Sequence, residues 1–403
     1  YIEANNPDGI IYGYNPVHRI YQGWGEPAGF DGHYLLQAYD RITDSGCDSL
    51  CAWLTFDGKA DKPIILKAAT SFVSRQGAEN NFAVEAEGHG FGSMMQQLAN
   101  AWVERLHTID VEDTNTARIS QFYGALYRCS FLPREMSDTD GSYPSFSSGK
   151  PATGERKFYG DFSMWDTYRA LHPLYTLIAP RESADMMQSL VTMYKEGGWL
   201  PIFPCWNSYT AAMIGDHCSA VLADAYIKGI RDFDYEKAYE AMRKNAFETP
   251  ANFEDYKNGM GRRALTSYLK YGYIPLEDGV KEAFHQDEQT SRTLEYAFDD
   301  FAVAQLAKAL GKDKDYETLM RRSENWRNVI NPKTGYCDGR HAPKAISRKK
   351  NDGGLFENNQ DFIHRKSYIT EGATCHYTWY VPHNVGGLVE LLGGKEQFEA
   401  KLD

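Results

Sequence analysis

The sequence has no apolar run long enough to cross a bilayer as a helix. It has no basic patch alternating with aromatic residues, and its formal net charge is −12, so nucleic acid is not an expected partner. No glycine loop of the G-x-x-x-x-G-K type is present to cradle phosphates. Cysteine is sparse: seven residues, odd in number and scattered, so at least one thiol is free. Most are expected to behave as small buried hydrophobes. Cys47 and Cys51 have no second cysteine pair at zinc spacing, which argues against a zinc site. Tyr1 stands in mid-pattern with neither Met nor a signal peptide, so the chain reads as a mature or trimmed product.

What is present is length and aromatic content. The 403 residues allow two domains with large cores. Aromatics make up 14%, including 27 Tyr and 8 Trp, which suits carbohydrate-binding faces or thick aromatic cores. Residues 1 to about 75 read as β: Tyr34–Tyr39, Ala52–Phe56 and Pro63–Ala69 are short aromatic or apolar runs, with Asp57-Gly58 as a turn. This is too little for a complete sandwich, so further strands are expected before Tyr1. From about residue 90 the period becomes helical. Ile119, Phe122, Tyr123 and Leu126 fall at i, i+3, i+4, i+7. The same spacing recurs at Met187, Leu190, Val191 and Tyr194, at Tyr235, Ala238, Tyr239 and Met242, and at Leu294, Ala297, Phe298 and Phe301. Asp234, Gly311 and Asp313 or Asp315 supply start and stop signals. The pattern predicts roughly eight to ten helices with no strand between them, an all-α region after a β region. Long loops at 132–160, 199–210, 248–290 and 331–370 carry the unusual residues and are the expected site builders.

Three segments carry candidate chemistry. Phe162–Pro173 crowds Trp165, Asp166, Tyr168 and Arg169 together, a mixture that suits a sugar pocket. A buried Asp166–Arg169 pair at i, i+3 explains it equally well. Glu371 stands beside Gly372 among aromatics, where burial would favour the protonated form that a general acid needs. Its bland alternative is a carboxylate opening the helix toward Trp379. Glu295 and Asp299 share a helix face at i, i+4, and such like charges require a cation, an arginine or sugar hydroxyls to offset them. The flanking aromatics argue against a fully solvated face there. Asp216-His217-Cys218 and Cys375-His376 are not read as catalytic pairs, because neighbours on a helix point about 100° apart. His364, His376 and His383 are spaced too loosely for a metal site and read as structural.

At Trp165–Pro173 the chain resembles glycoside hydrolase family 92, and ordered motifs on both sides extend the likeness over nearly all of its length. Asp138-Thr139-Asp140-Gly141 resembles the family's S-D-x-D-G turn, and Met213-Ile214-Gly215-Asp216-His217 its M-I-G-x-H run. Thr293–Asp300 resembles T-L-E-Y-A-Y-D-D, and Glu371-Gly372 with Tyr377–His383 resembles E-G-N-A-W-Q-Y-x-W-x-V-P-H-D. Leu392-Gly393-Gly394-Lys395 follows at the expected distance.

The resemblance implies a β-sandwich followed by an (α/α)6 toroid with the site at their junction. The expected division is 1–75 as the last strands of the sandwich, 76–112 as a linker helix, and 113–403 as a catalytic domain incomplete at its C-terminus. The implied activity is that of a bacterial, extracytoplasmic exo-α-mannosidase, inverting and Ca2+-dependent, degrading mannose-containing glycans including N-glycans. The implied general acid is Glu371. Trp165, Asp166 and Arg169 are expected to shape the mannose pocket, with Asp299, Asp300 and His376 as further substrate contacts. The base and the Ca2+ ligands are expected beyond Asp403, with none of the ligands in this chain; the early sandwich strands are expected before Tyr1. Asn207-Ser208-Tyr209-Thr210 stands where many members have G-N-E-T, and His376 where many have Gln, so the linkage preference is open. The competing readings are a non-catalytic glycan-binding relative and another (α/α)6 hydrolase or phosphorylase.

Overall fold

The periodic segments fold as the pattern predicts; the departures are short ribbons and the helices Phe253–Lys257 and Leu265–Tyr271 inside the stretch 248–290 expected as a loop. The computed structural model describes the backbone of six short strands within residues 2–54, and residues 66–403 apart from 281–282, 284 and 344–353. In chain order these strands are β1 (Ile2–Ala4), β2 (Ile11–Tyr14), β3 (Tyr21–Trp24), β4 (His33–Tyr34), β5 (Gln37–Asp40) and β6 (Leu50–Leu54), followed by β7 (Leu66–Ala68). Then come α1 (Arg75–Glu85), α2 (Phe91–Leu106), α3 (Thr116–Cys129), β8 (Arg134–Glu135), β9 (Ser142–Pro144), β10 (Pro151–Thr153) and β11 (Tyr159–Gly160). The rest is helical: α4 (Met164–Thr167), α5 (Leu171–Ile178), α6 (Pro180–Gly197), α7 (His217–Ile227), α8 (Tyr235–Phe247), α9 (Phe253–Lys257), α10 (Leu265–Tyr271), α11 (Gln289–Ala309) and α12 (Asp313–Arg322). A 3-10 segment (Ser323–Val329) and α13 (Thr374–Tyr377), α14 (Val385–Leu391) and α15 (Lys395–Leu402) complete it. The described chain is therefore mostly helical with few strands.

The chain divides into two compact units. One comprises residues 1–115, 136–144 and 149–157; the other comprises 116–135, 145–148 and 158–403. In the first, all strand pairings are antiparallel: β4-β1-β7, β2-β6 and β3-β5. Residues 35–36 and 55–65, with the expected Asp57-Gly58 turn, lie outside the described residues. The Asp138–Gly141 motif serves this unit as a clamp. Asp138 accepts hydrogen bonds from Ser71 Oγ at 2.6 Å and from Asn81 Nδ2 on α1 at 2.8 Å, and Asn81 Oδ1 accepts from the Thr139 backbone N–H at 2.8 Å. A Cβ on Gly77 would lie 2.2 Å from Asp138 Oδ2, so only glycine lets the helix approach. The region expected as one linker helix holds two, α1 and α2.

The expectation of no strand after residue 90 is corrected by β9-β10 in the first unit and β8-β11 in the second. These strands are two or three residues long, too short for a period of two to register in a sequence rich in Pro, Gly and Ser.

In the second unit the helices follow their apolar stripes. α6 begins with Pro180 and ends at Gly198, which takes the left-handed conformation that favours glycine; Met187, Leu190 and Val191 face inward, fully buried. Asp234 Oδ1 caps α8 by accepting from the Lys237 N–H at 3.1 Å. The centre is α11, packed against α7, α8, α12 and the 3-10 segment. An apolar cluster of Leu294, Ala297, Trp326, Val329, Ile369, Tyr377 and Val381 lies against it, and Trp165 packs on that cluster.

α11 is buried nearly all round, yet it carries Arg292, Glu295, Asp299 and Asp300 with no exposure. Such charges persist only when paired. Asp300 is held by Arg262 Nη1 at 2.6 Å, by Arg322 Nε at 2.8 Å and Nη2 at 2.7 Å, and by the Tyr268 hydroxyl at 3.0 Å. Asp300→Ala leaves the buried Arg262 with Asp216 alone and removes the carboxylate that Arg322 binds. It is expected to cost about 3–5 kcal/mol in a urea titration of the protein; an unchanged midpoint contradicts this pairing.

Candidate active site

Gly215 decides how α7 meets α11. Its φ is +81°, and a Cβ there would lie 2.3 Å from His217 Nε2 and 2.7 Å from Glu295 Oε2. Glycine thus admits the His217 ring between two carboxylates of α11. His217 Nδ1 lies 2.8 Å from Asp299 Oδ1, and Nε2 lies 3.2 Å from Glu295 Oε2. The offset that the Glu295–Asp299 spacing demanded is therefore a histidine. Asp299 also accepts the Asp216 backbone N–H at 2.7 Å, and Asp216 accepts from Arg262 Nε at 2.9 Å, Asn245 Nδ2 at 3.0 Å and Ser219 Oγ at 3.1 Å. Burial alone would lower the His217 pKa, but Asp299 and then Glu295 overcome it and raise it to about 9. Even with His217 protonated, four carboxylates (Asp216, Glu295, Asp299, Asp300) face three cations. Burial then pushes the Asp216 carboxyl up against the pull of Arg262.

Two aromatic residues connect this cluster to a cleft. The Trp165 indole N–H, on α4, donates to Glu295 Oε1 at 2.9 Å, and the Tyr377 hydroxyl, on α13, donates to the same oxygen at 3.0 Å. Tyr168 stacks on the His217 ring, centroids 3.8 Å apart, and its hydroxyl meets that of Tyr380. The cleft has a volume of about 280 Å³, and Trp165, Arg169, Glu371, His376 and Tyr377 are among its walls. The Arg169 guanidinium lies 4.8 Å from the Trp165 ring, 4.9 Å from Tyr168 and 5.4 Å from Tyr380, and its Nε donates to the Trp165 carbonyl at 3.2 Å. Its positive charge is thus fixed by rings while remaining exposed to the cleft.

Glu371 reaches the cleft because the start of α11 pins its loop. The Thr290 N–H donates to the Tyr368 carbonyl at 3.1 Å, and Ser291 Oγ accepts from the Thr370 N–H at 2.9 Å. The Tyr368 carbonyl, which also accepts the Ser291 N–H at 3.3 Å, satisfies helix N–H groups that would otherwise lack partners. Glu371 itself takes a left-handed φ of +48° and is exposed. The burial expected from its aromatic neighbours is not there. Nor does it open a helix, since α13 begins three residues later at Thr374. His376 Nδ1 accepts the Ala373 N–H at 3.1 Å.

Four of the predicted site residues, Trp165, Arg169, Glu371 and His376, therefore meet in one cleft. Asp166 is exposed beside it; burial raises its pKa, Arg169 opposes, and the Glu371 charge adds to the rise. Asp166 and Arg169 do not form the buried pair that was the alternative, since both are exposed. Asp299 and Asp300 are not cleft residues: both are fully buried, and their oxygens are taken by His217, the Asp216 N–H, Arg262, Arg322 and Tyr268. They correct the expectation of direct sugar contact. Sequence reasoning passed over Tyr377 and Tyr380 as cleft residues, took Glu295 only as half of a like-charged pair, and set His217 aside. The signal for His217 was Gly215, two positions before it. His364 pairs with Asp361 at 2.9 Å and His383 faces the Ser323 carbonyl at 2.9 Å, so these histidines do not converge with His376.

The glycosyl hydrolase family 92 catalytic domain matches residues 77–403. The chain belongs to glycosyl hydrolase family 92. It is 30% identical to an inverting mannosidase of this family from Bacteroides thetaiotaomicron, with a TM-score of 0.81, covering 100% of this chain and 49% of that one. It is 29% identical to a family 92 α-mannosidase of the same bacterium in complex with mannoimidazole, with a TM-score of 0.77 and the same coverages. An uncharacterized secreted glycosidase of Arthroderma benhamiae is 27% identical over 87% of this chain and 43% of its own length. The chain spans about half the length of these relatives. Among the described residues no three His, Cys, Asp or Glu side chains converge as an ion would require. The described residues thus do not fit a Ca2+ site. Among the described residues no helix is long and apolar enough to cross a membrane.

The His217 ion pairs have a pH signature. An unfolded histidine titrates near 6.5. Because the folded value is raised to about 9, the stabilisation is complete below about pH 6.5 and is lost as pH rises through 9. Unfolding free energy is expected to fall over that window by on the order of 3 kcal/mol. His217→Gln lowers stability at neutral pH and flattens the slope; an equally steep slope in the variant contradicts the assignment.

Proposed function

We propose that the protein to which this chain belongs is an exo-acting α-mannosidase that removes terminal α-mannosyl residues from mannose-containing glycans with inversion. The observation that carries this is the cleft in which Glu371 stands exposed beside an indole, a guanidinium and an imidazole. Family membership and the likeness to solved structures of mannosidases support it. The Trp165 face supplies an apolar wall for a pyranose ring, and Asp166, Arg169 and His376 supply charged and polar partners for hydroxyls. Glu371 acts as the general acid, giving its proton to the glycosidic oxygen as the bond to the anomeric carbon breaks. Inversion requires a second carboxyl about 6.5–9.5 Å from the first, activating a water on the opposite face of the ring. That base, and oxygen ligands for Ca2+, are assigned to parts of the protein outside this chain.

The finer architecture belongs to the same proposal. The helices of the second unit form the larger part of an (α/α)6 toroid, and the strands of the first belong to a β-sandwich. The secreted fungal relative and the glycan substrate class support an extracytoplasmic location.

The test uses the full-length protein and Glu371→Gln on two substrates, an aryl α-mannoside with an activated leaving group and α-mannobiose. The variant is expected to lose at least about 100-fold in turnover of the disaccharide and much less on the activated glycoside, because only the former needs protonation. Proton NMR of the first product should show β-mannose. Wild-type turnover of mannobiose by the variant removes Glu371 as the acid. Saccharide binding with no hydrolysis of either substrate by the wild type favours a glycan-binding relative.

A further inference from the structure

We propose that Glu295, which never meets the substrate, is a positioning residue that sets the two aromatic walls of the cleft from below. The proposal rests on the reading of that cleft as the mannose site. Glu295 is fully buried and is not among the residues lining the cleft. One of its oxygens takes both the Trp165 indole N–H and the Tyr377 hydroxyl, at 2.9 and 3.0 Å. The walls belong to helices α4 and α13, far apart in the chain, so a shared acceptor is what relates their orientations. The other oxygen faces His217, whose far nitrogen is tied to Asp299 at 2.8 Å. The carboxylate is thereby held at a third point, on a ring that Gly215 alone lets approach.

The acceptor is charged, and hydrogen bonds to a charged acceptor are shorter and stronger than neutral ones. Trp165 also bears the Arg169 guanidinium over its ring and accepts its Nε at the backbone carbonyl. A tilt of the indole therefore moves the apolar wall and the cation together. Glu371 is on the same cleft, and its loop hangs on Ser291 through the Thr370 N–H, while Ser291 also reaches the Tyr377 hydroxyl. Loss of Glu295 leaves the Thr370–Ser291 bond in place, so its main effect should fall on how the sugar ring sits rather than on delivery of the proton.

The experiment compares full-length wild type, Glu295→Leu, Glu295→Gln and Tyr377→Phe on the activated aryl α-mannoside and on α-mannobiose, with thermal midpoints measured alongside. Tyr377→Phe keeps the ring and removes one donor. It is expected to lower kcat/KM about 10-fold, by the same factor on both substrates. Glu295→Leu should lose more, again equally, and Glu295→Gln, which retains an acceptor oxygen, should recover most of that loss. Should Glu295→Leu fail to fold, Tyr377→Phe still decides. A lower thermal midpoint with unchanged kcat/KM in Tyr377→Phe reduces the cluster to a structural role and overturns the proposal. A loss confined to mannobiose, or Gln no better than Leu, also overturns it. Failure of the underlying mannosidase reading shows separately, as wild-type enzyme that turns over neither substrate.

Discussion

The interaction on which the rest depends is the buried ion pairing of His217 with Glu295 and Asp299. Two carboxylates one turn apart on a fully buried helix repel and cannot be hydrated. A single protonated imidazole, stacked under Tyr168, answers both. Without it α11 could not be the central helix, because Asp300 and Asp216 already occupy Arg262. The cost of burying so many charges is offset by geometry: almost every oxygen in the cluster has a donor within hydrogen-bonding reach.

The same cluster connects folding to the cleft. Its far side closes the helical packing through Arg262, Arg322 and Asn245. Its near side ends on Trp165 and Tyr377. Charge inside the protein is thereby converted into orientation at its surface, which preorganises the walls before a ligand arrives. The loop bearing Glu371 is tied instead to the first turn of α11. One helix consequently serves both the aromatic walls of the cleft and the loop of Glu371, through different residues.

Much of this was legible in the sequence where a physical rule acts locally. The helix periods at Met187–Tyr194 and Tyr235–Met242, the Asp234 cap and the break at Gly311 need only neighbours a few positions away. The unbalanced Glu295–Asp299 pair announced that a cation was required, and Trp165, Arg169, Glu371 and His376, each singled out in the sequence, meet in one cleft. What was not legible depends on the fold. Whether Asp299 and Asp300 face sugar or a cation is decided by His217 for the first and by Arg262 and Arg322 for the second, which the spacing on α11 does not contain. His217 was set aside because adjacent residues on a helix cannot pair with each other, which is true of Cys218 but irrelevant to Glu295. The burial inferred for Glu371 from its aromatic neighbours failed because a left-handed backbone at that position turns the side chain outward.

The central claim is that His217 is an imidazolium at neutral pH. Nitrogen-15 NMR of histidine-labelled protein, with the His217 resonance assigned by its loss in His217→Gln, measures this directly. The account predicts that both ring nitrogens carry protons at pH 7 and that the ring titrates near 9. A neutral ring with a single protonated nitrogen at pH 7 would leave Glu295 and Asp299 unbalanced and would contradict it.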